Sequence, residues 1–209
     1  MAPTLDVEFS LLQQGFPLIA GLDEAGRGSW AGPVVAAAVV LPLERLREEP
    51  ALLDGVDDSK RLTVLRREAA ADRVWKVALG VGVGLASPAL VDALGIVAAT
   101  RLAMRQAVGR LDLAPKFLLV DGRLRLNLPL PQRALVRGDA NSLSIAAASV
   151  VAKVYRDALL RDWAHLFPGY GFERHKGYGT RQHAQALARL GPCPLHRRSY
   201  APLRPFFAP

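Results

Sequence analysis

Cysteine is nearly absent from this chain of 209 residues: Cys193 stands alone, so no disulfide framework and no four-cysteine zinc site is available. Long hydrophobic runs are missing too. The longest continuous apolar stretch, Pro33 to Pro42, is about half of what a membrane-spanning helix needs. The opening, MAPTLDVEFSLLQQGF, has neither a basic leader nor the apolar centre of a signal peptide. A soluble protein of the reducing cytoplasm, not bound to membrane, is the expectation. Repeats and low-complexity segments are also lacking. What remains is ordinary globular composition, 51% apolar and 22% charged, enough for one compact domain with a small appendage. The charge is lopsided: 27 Lys and Arg against 19 Asp and Glu leave +8. A surplus of that size attracts polyanions, nucleic acid among them, in a salt-dependent way.

Hydrophobic patterning predicts a buried strand over Leu18–Leu22 and a second over Val34–Leu41, which is β-branched and bounded by prolines. A charged loop follows, and Ser59 or Thr63 caps a helix to about Arg73. Val74–Leu85 reads as a third strand from the alternation in its later half. Ser87-Pro88 starts a helix whose apolar spacing runs to about Arg110. Short buried strands are expected at Phe117–Val120 and Ala134–Val136, a long helix from Ser142 to about Leu166, and a last helix over Thr180–Leu190. PGYGFERHKGYG, between those helices, reads as irregular. Three strands, then helix and strand in alternation, make an α/β fold with a mixed sheet.

Three acidic sites lie at strand ends in this scheme: Asp23-Glu24 after the first, Asp121 at the end of the fourth, Asp139 after the fifth. Open α/β sheets gather ligands at such ends, where carboxylates from neighbouring strands converge. Clustered carboxylates repel one another unless a cation neutralises them, and hard oxygen donors select Mg²⁺ or Mn²⁺ over zinc. Two such ions about 4 Å apart serve phosphodiester hydrolysis. Taken singly, each site is more often a plain turn or helix cap than a ligand. A competing motif exists: Gly26-Arg27-Gly28-Ser29-Trp30-Ala31 fits the dinucleotide fingerprint G-x-G-x-x-A. That fingerprint needs a helix to begin at once, whereas Gly32-Pro33 and a strand pattern follow.

The block GLDEAGRGSWAGPVVAAAVVLP from Gly21 resembles the opening motif of bacterial ribonuclease HII, of the type-two ribonuclease H family. The resemblance continues through DDSKRLT at 57–63, LLVDG at 118–122, RGDANSLSIAAASVVAKVYRD at 137–157, FPGYGFERHKGYGT at 167–180 and HRRSYAP at 196–202. Six blocks in the family's order span nearly the whole chain beyond Leu18. The resemblance implies a ribonuclease-H-like fold with a mixed five-stranded sheet flanked by helices: a catalytic core over 1–165 and a small C-terminal helical extension over 166–209. It implies that Asp23, Glu24, Asp121 and Asp139 are the catalytic, metal-binding quartet, the same four that the strand-end argument selects. Gly26, Arg27 and Gly28 match the loop that meets the RNA–DNA junction, and Tyr178 the tyrosine that stacks there and checks the 2′-hydroxyl. Lys60 and Lys153 are implied phosphate or site-organising cations; Lys176 and Arg197-Arg198 read as general electrostatic footing.

The implied activity is hydrolysis of RNA in RNA–DNA hybrids, and on the 5′ side of ribonucleotides embedded in duplex DNA, by metal-activated water. A monomer is expected. Departures from the family pattern are Ser29-Trp30, Gly95 and Tyr200. Cys193 and His196, with His175 and His183, imitate zinc ligands but lack a second tight pair. Leu203–Phe207 resembles a short peptide that docks on a sliding clamp, without the leading glutamine. A catalytically silent nucleic-acid binder and a nucleotide-cofactor oxidoreductase are the rival readings.

Overall fold

Val34–Val40 is buried along its entire length, so this strand has no solvent face and must lie inside a sheet covered on both sides. The computed structural model, which describes residues 2–207, shows how. Five strands, β1 (Ile19–Ala25), β2 (Val34–Val40), β3 (Gly80–Ala86), β4 (Phe117–Asp121) and β5 (Gln132–Leu135), form one sheet in the order β3-β2-β1-β4-β5. β1, β2 and β3 pair antiparallel; β4 joins β1, and β5 joins β4, in parallel. The mixed five-stranded sheet flanked by helices is thus present.

The helices are α1 (Asp6–Gln13), α2 (Leu43–Glu48), α3 (Val64–Val77), α4 (Pro88–Leu94), α5 (Ile96–Gly109), α6 (Gly138–Asn141), α7 (Leu143–Leu166), α8 (Phe172–His175) and α9 (Arg181–Leu190). α7 lies across β1 and β2 on one face; α5 crosses β3 and β2 on the other. The period-2 alternation of the strands feeds both cores. Ile19, Val35, Val39 and Leu119 pack with α7 and α3. Leu22, Val34, Val40 and Val120 pack with α5 around Met104. A third cluster, built on Phe172, Leu160 and Ala31, seats α8 and α9 beside α7. Among the described residues no helix is long and apolar enough to cross a membrane.

Four local expectations are corrected. Val74–Val77 continues α3 rather than opening β3, because Val74 extends the buried face already set by Ala70 and Ala71. The helix from Ser87 breaks at Gly95, whose φ of 75° ends α4 and restarts the chain as α5. The last strand begins two residues early and is a largely exposed edge, not a buried one. Asp23 and Glu24 lie within β1, not after it, and Asp139 falls in the single turn α6.

The sequence gives no sign of α1, yet it braces the region that bears Asp139. Its buried Glu8 accepts hydrogen bonds from the Ser142 hydroxyl at 2.6 Å and from the amide and hydroxyl of Ser144 at 3.0 and 2.6 Å. An anionic side chain there also suits the N-terminus of the 24-residue α7.

Candidate active site

The β1–β4 ladder runs in parallel as far as Leu22 opposite Val120, so Asp23 and Asp121 come next, side by side at the carboxyl ends of adjacent strands. Neighbouring strands lie about 4.8 Å apart. The Asp121 Oδ1 accepts the Gly138 amide hydrogen at 2.7 Å, which ties the end of β4 to α6 and so to Asp139. Lys60, reaching in from the loop before α3, places Nζ 3.0 Å from Asp139 Oδ2. Arg27 stands 3.2 Å from Glu24 Oε1. Together they border a cleft of about 230 Å³ whose walls include Asp23, Glu24, Gly26, Arg27, Gly28, Lys60, Asp121, Lys153 and Tyr178. Asp139 is not part of that wall; it joins through Lys60 and Asp121. A larger cavity, of about 660 Å³, lies between α4 and the C-terminal tail and holds only one of the chain's carboxylates, Asp92.

The cleft concentrates negative charge. Burial pushes the Asp23 carboxyl well above the usual range, and the charges of Glu24 and Asp121 add to it. Glu24 and Asp121 are raised as well, burial again being the main cause; Arg27 opposes the shift at Glu24, and Asp139 reinforces it at Asp121. Burial alone would lower the Lys60 ammonium, but Asp139, Asp23 and Asp58 hold its proton more tightly than usual. Among the described residues two buried side-chain oxygens have no hydrogen-bond partner, Glu8 Oε2 beside α7 and Glu24 Oε2 in the cleft. Oxygen donors alone, an unpartnered buried carboxylate oxygen and charge-starved neighbours suit a hard divalent cation. The carboxylates flank the cleft without closing into a finished cage. Among the described residues no three His, Cys, Asp or Glu stand as a ready metal cluster, and Lys60 and Arg27 supply the compensating charge.

The loop that follows β1 is built from beneath by two arginines. Gly26 has a φ of 92°, and a Cβ there would meet Arg156 Nε at 2.0 Å, so only glycine fits. Arg156 of α7, fully buried, donates to the carbonyls of Pro33, Ala31 and Lys176 and to the Ser29 hydroxyl, all at 2.7–2.9 Å. Arg197, equally buried, donates to the carbonyls of Gly26, Arg27 and Gly32 at 2.7–3.0 Å. The expectation of Arg197 as surface footing is corrected: its guanidinium is spent on turning the loop's carbonyls inward. Neither burial could be read from the sequence, since each depends on which backbone groups lack donors after folding. Ser149 of α7 was also missed; it hydrogen-bonds Asp23 and lies 3.0 Å from the Ser59 hydroxyl.

Tyr178 lies half-buried across the cleft, its ring near Lys153 Nζ at 5.3 Å and the Arg156 guanidinium at 5.4 Å. After Ala31 the chain enters β2 at Val34 rather than a helix, which removes the dinucleotide reading.

A sequence model described as ribonuclease HII matches residues 20–203. The chain belongs to the ribonuclease HII family. A ribonuclease HII of Chloroflexus aggregans is 53% identical over 204 residues, covering 97% of this chain and 95% of that one. Among solved structures, the ribonuclease H2 from Pyrococcus horikoshii OT3 superposes with a TM-score of 0.76 over 90% of this chain and 96% of that one, at 24% identity, a likeness of fold. A PCNA–RNase HII complex from Archaeoglobus fulgidus gives 0.71 at 27% identity, over 88% and 95%. The ribonuclease HII match ends at Leu203. Beyond it Arg204–Phe206 forms one 3-10 turn, and Phe207 lies under the Arg198 guanidinium at 4.8 Å.

Proposed function

We propose that the cleft is the catalytic centre for RNA cleavage, with Asp23, Glu24, Asp121 and Asp139 holding the metal and Gly26, Arg27, Gly28, Lys60 and Tyr178 meeting the substrate. As a ribonuclease HII, the chain is a metal-dependent hydrolase, an endoribonuclease acting on the RNA of RNA–DNA hybrids. The finer reading is cleavage on the 5′ side of ribonucleotides embedded in duplex DNA. The observation that carries the assignment is the convergence of buried, charge-starved carboxylates on one cleft with the Gly26–Gly28 loop and Tyr178.

Mg²⁺ or Mn²⁺ is the metal this donor set favours; bound there, it supplies Lewis acidity toward the attacking water and the leaving oxygen. The chain's own residues do the rest. Arg27 and Lys60 present cations to phosphate. The glycine loop, free of side-chain bulk at 26 and 28, lets peptide groups approach the sugar, where a 2′-hydroxyl both donates and accepts. Tyr178 supplies a flat face for stacking at the same step. In this reading residues 1–165 carry the acids and the segment from 166 onward carries Tyr178; residues 208 and 209 lie outside the described ones. The partners are RNA–DNA hybrids and ribonucleotide-bearing duplex. The exposed Phe206 near the C-terminus is the feature a sliding clamp would engage.

Nicking of duplex DNA bearing one ribonucleotide, with Mg²⁺, tests the reading. Asp139→Asn is expected to cut at least about 100-fold more slowly while binding the substrate as well as before or better, since one repelling charge is gone. An Asp139→Asn protein that nicks normally, or a native protein that binds without product, rejects it.

A further inference from the structure

Three of the four histidines gather in one buried cluster away from the carboxylates. His175 ends α8, His183 lies in α9 and His196 sits in the tail. His183 is fully buried, the other two nearly so. His183 Nδ1 lies 3.0 Å from the Tyr178 carbonyl oxygen, and its Nε2 lies 3.0 Å from Nε2 of His196. His196 Nδ1 faces the Cys193 amide at 2.9 Å and the Cys193 carbonyl oxygen at 3.2 Å. The Gly177 amide donates to His175 Nδ1 at 3.1 Å, and His175 Nε2 lies 2.8 Å from the Tyr170 carbonyl. The His175 and His183 rings stack with centroids 4.3 Å apart.

With the shorter contact to the Cys193 amide taken over the carbonyl at 3.2 Å, these contacts fit a proton arrangement in which every ring is neutral. A carbonyl only accepts, so His183 carries its hydrogen on Nδ1 and accepts at Nε2. His196 therefore donates from Nε2 and accepts the Cys193 amide at Nδ1. His175 accepts at Nδ1 and donates from Nε2. The cluster is a directional chain ending on the Tyr178 carbonyl, not a zinc site with free lone pairs. Apolar rings would fill the same space, but would leave the Tyr178 carbonyl with the Thr180 amide at 2.9 Å as its one donor; His183 adds the second.

Trp30 also packs against that segment. Its ring would collide with any Cβ at Gly179, its centroid lies 5.4 Å from that of His183, and its amide donates to the Gly177 carbonyl at 2.8 Å. Trp30 belongs to the loop that continues from Gly28. The histidines and Trp30 thus both hold Gly177–Gly179.

We propose that His183 is a positioning residue for Tyr178: by donating Nδ1–H to the Tyr178 carbonyl, with His196 fixing its tautomer, it sets where the tyrosine ring meets the ribonucleotide, and so contributes to discrimination of single embedded ribonucleotides. The inference rests on the proposed role of Tyr178. It concerns residues outside the acidic cleft and leaves the metal chemistry untouched.

The test compares kcat/KM of the full chain on single-ribonucleotide duplex and on long hybrid, with Mg²⁺, for the native protein, His183→Asn, His183→Gln, Tyr178→Ala and the Gln–Ala double variant. An asparagine amide reproduces Nδ1–H, so His183→Asn is expected to stay within about threefold of native; glutamine reaches instead toward the Nε2 side, and His183→Gln is expected to lose at least about tenfold on the single-ribonucleotide substrate. In the Tyr178→Ala background His183→Gln is expected to add nothing. Equal losses for Asn and Gln, a native-like Gln variant, or multiplied losses in the double variant overturn the proposal. Should His183→Gln fail to fold, the native protein still decides: imidazole ¹⁵N shifts must show His183 neutral and protonated on Nδ1, and an Nε2-protonated ring refutes it. If Tyr178→Ala itself leaves the substrate preference unchanged, the role given to Tyr178 fails. If Tyr178→Ala is impaired and His183→Gln is not, only the positioning role fails.

Discussion

Asp23 carries the largest electrostatic load among the acids of the cleft. Burial, Glu24 and Asp121 together raise its carboxyl, so the folded state favours the protonated form. A raised folded value contributes stability below the unfolded value, and that contribution is lost as pH rises through the folded one. At pH above the usual carboxylate range, without divalent cation, Asp23 therefore weakens the fold. Asp23→Asn is expected to raise Tm in EDTA by a few degrees, at about 2–4 °C per kcal/mol for a chain of this size, while abolishing cleavage. Mn²⁺ is expected to raise the native Tm more than that of the variant, shrinking the gap. Calorimetry with and without EDTA checks this; a variant that melts below the native protein in EDTA contradicts the account.

The loop from Gly26 to Pro33 has no regular hydrogen-bond ladder, and its carbonyls depend on side chains for donors. Arg197 serves three of them. Arg197→Met keeps bulk but strips the Gly32 carbonyl of its donor and leaves those of Gly26 and Arg27 to Ser29 and the Tyr200 hydroxyl, and is expected to cost about 3 kcal/mol, with cleavage falling further than folding. Urea unfolding and kcat/KM measured on the same sample check this, and a native-like midpoint counts against it. The carboxylates were legible in the sequence because a strand followed by an acid is a local pattern, readable at Leu18–Asp23 and Phe117–Asp121. Other elements were not local. α1 and α2 start at Leu5 and Pro42, neither of which caps with a side chain, so no start signal marks them. The end of α3 was hidden because Val74–Val77 suits either a strand or one more helical turn, and packing against α7 decides between them. The exposed β5 was misread as buried because its apolar residues are those of an edge. The histidine cluster was visible only as a weak zinc imitation, since its members lie on α8, α9 and the tail.

At the scale of the molecule, a net +8 surrounds an acidic cleft and a neutral histidine interior. Burial lowers all three clustered histidines, and His183 falls from 6.5 to about 4. A lowered folded value gives stability that is present above the unfolded value and lost as pH falls toward the folded one. The native protein should therefore lose stability relative to His183→Asn between pH 6.5 and about 4, at roughly 1.4 kcal/mol per pH unit, the carboxylates common to both proteins cancelling. Denaturant midpoints at several pH values read this difference directly, and a gap that stays constant across the interval rules it out.

Arg197, in the tail after α9, clamps the carbonyls of a loop some 170 residues earlier in the chain. A protease that cuts the polypeptide just before position 197 would loosen that loop without touching a single carboxylate.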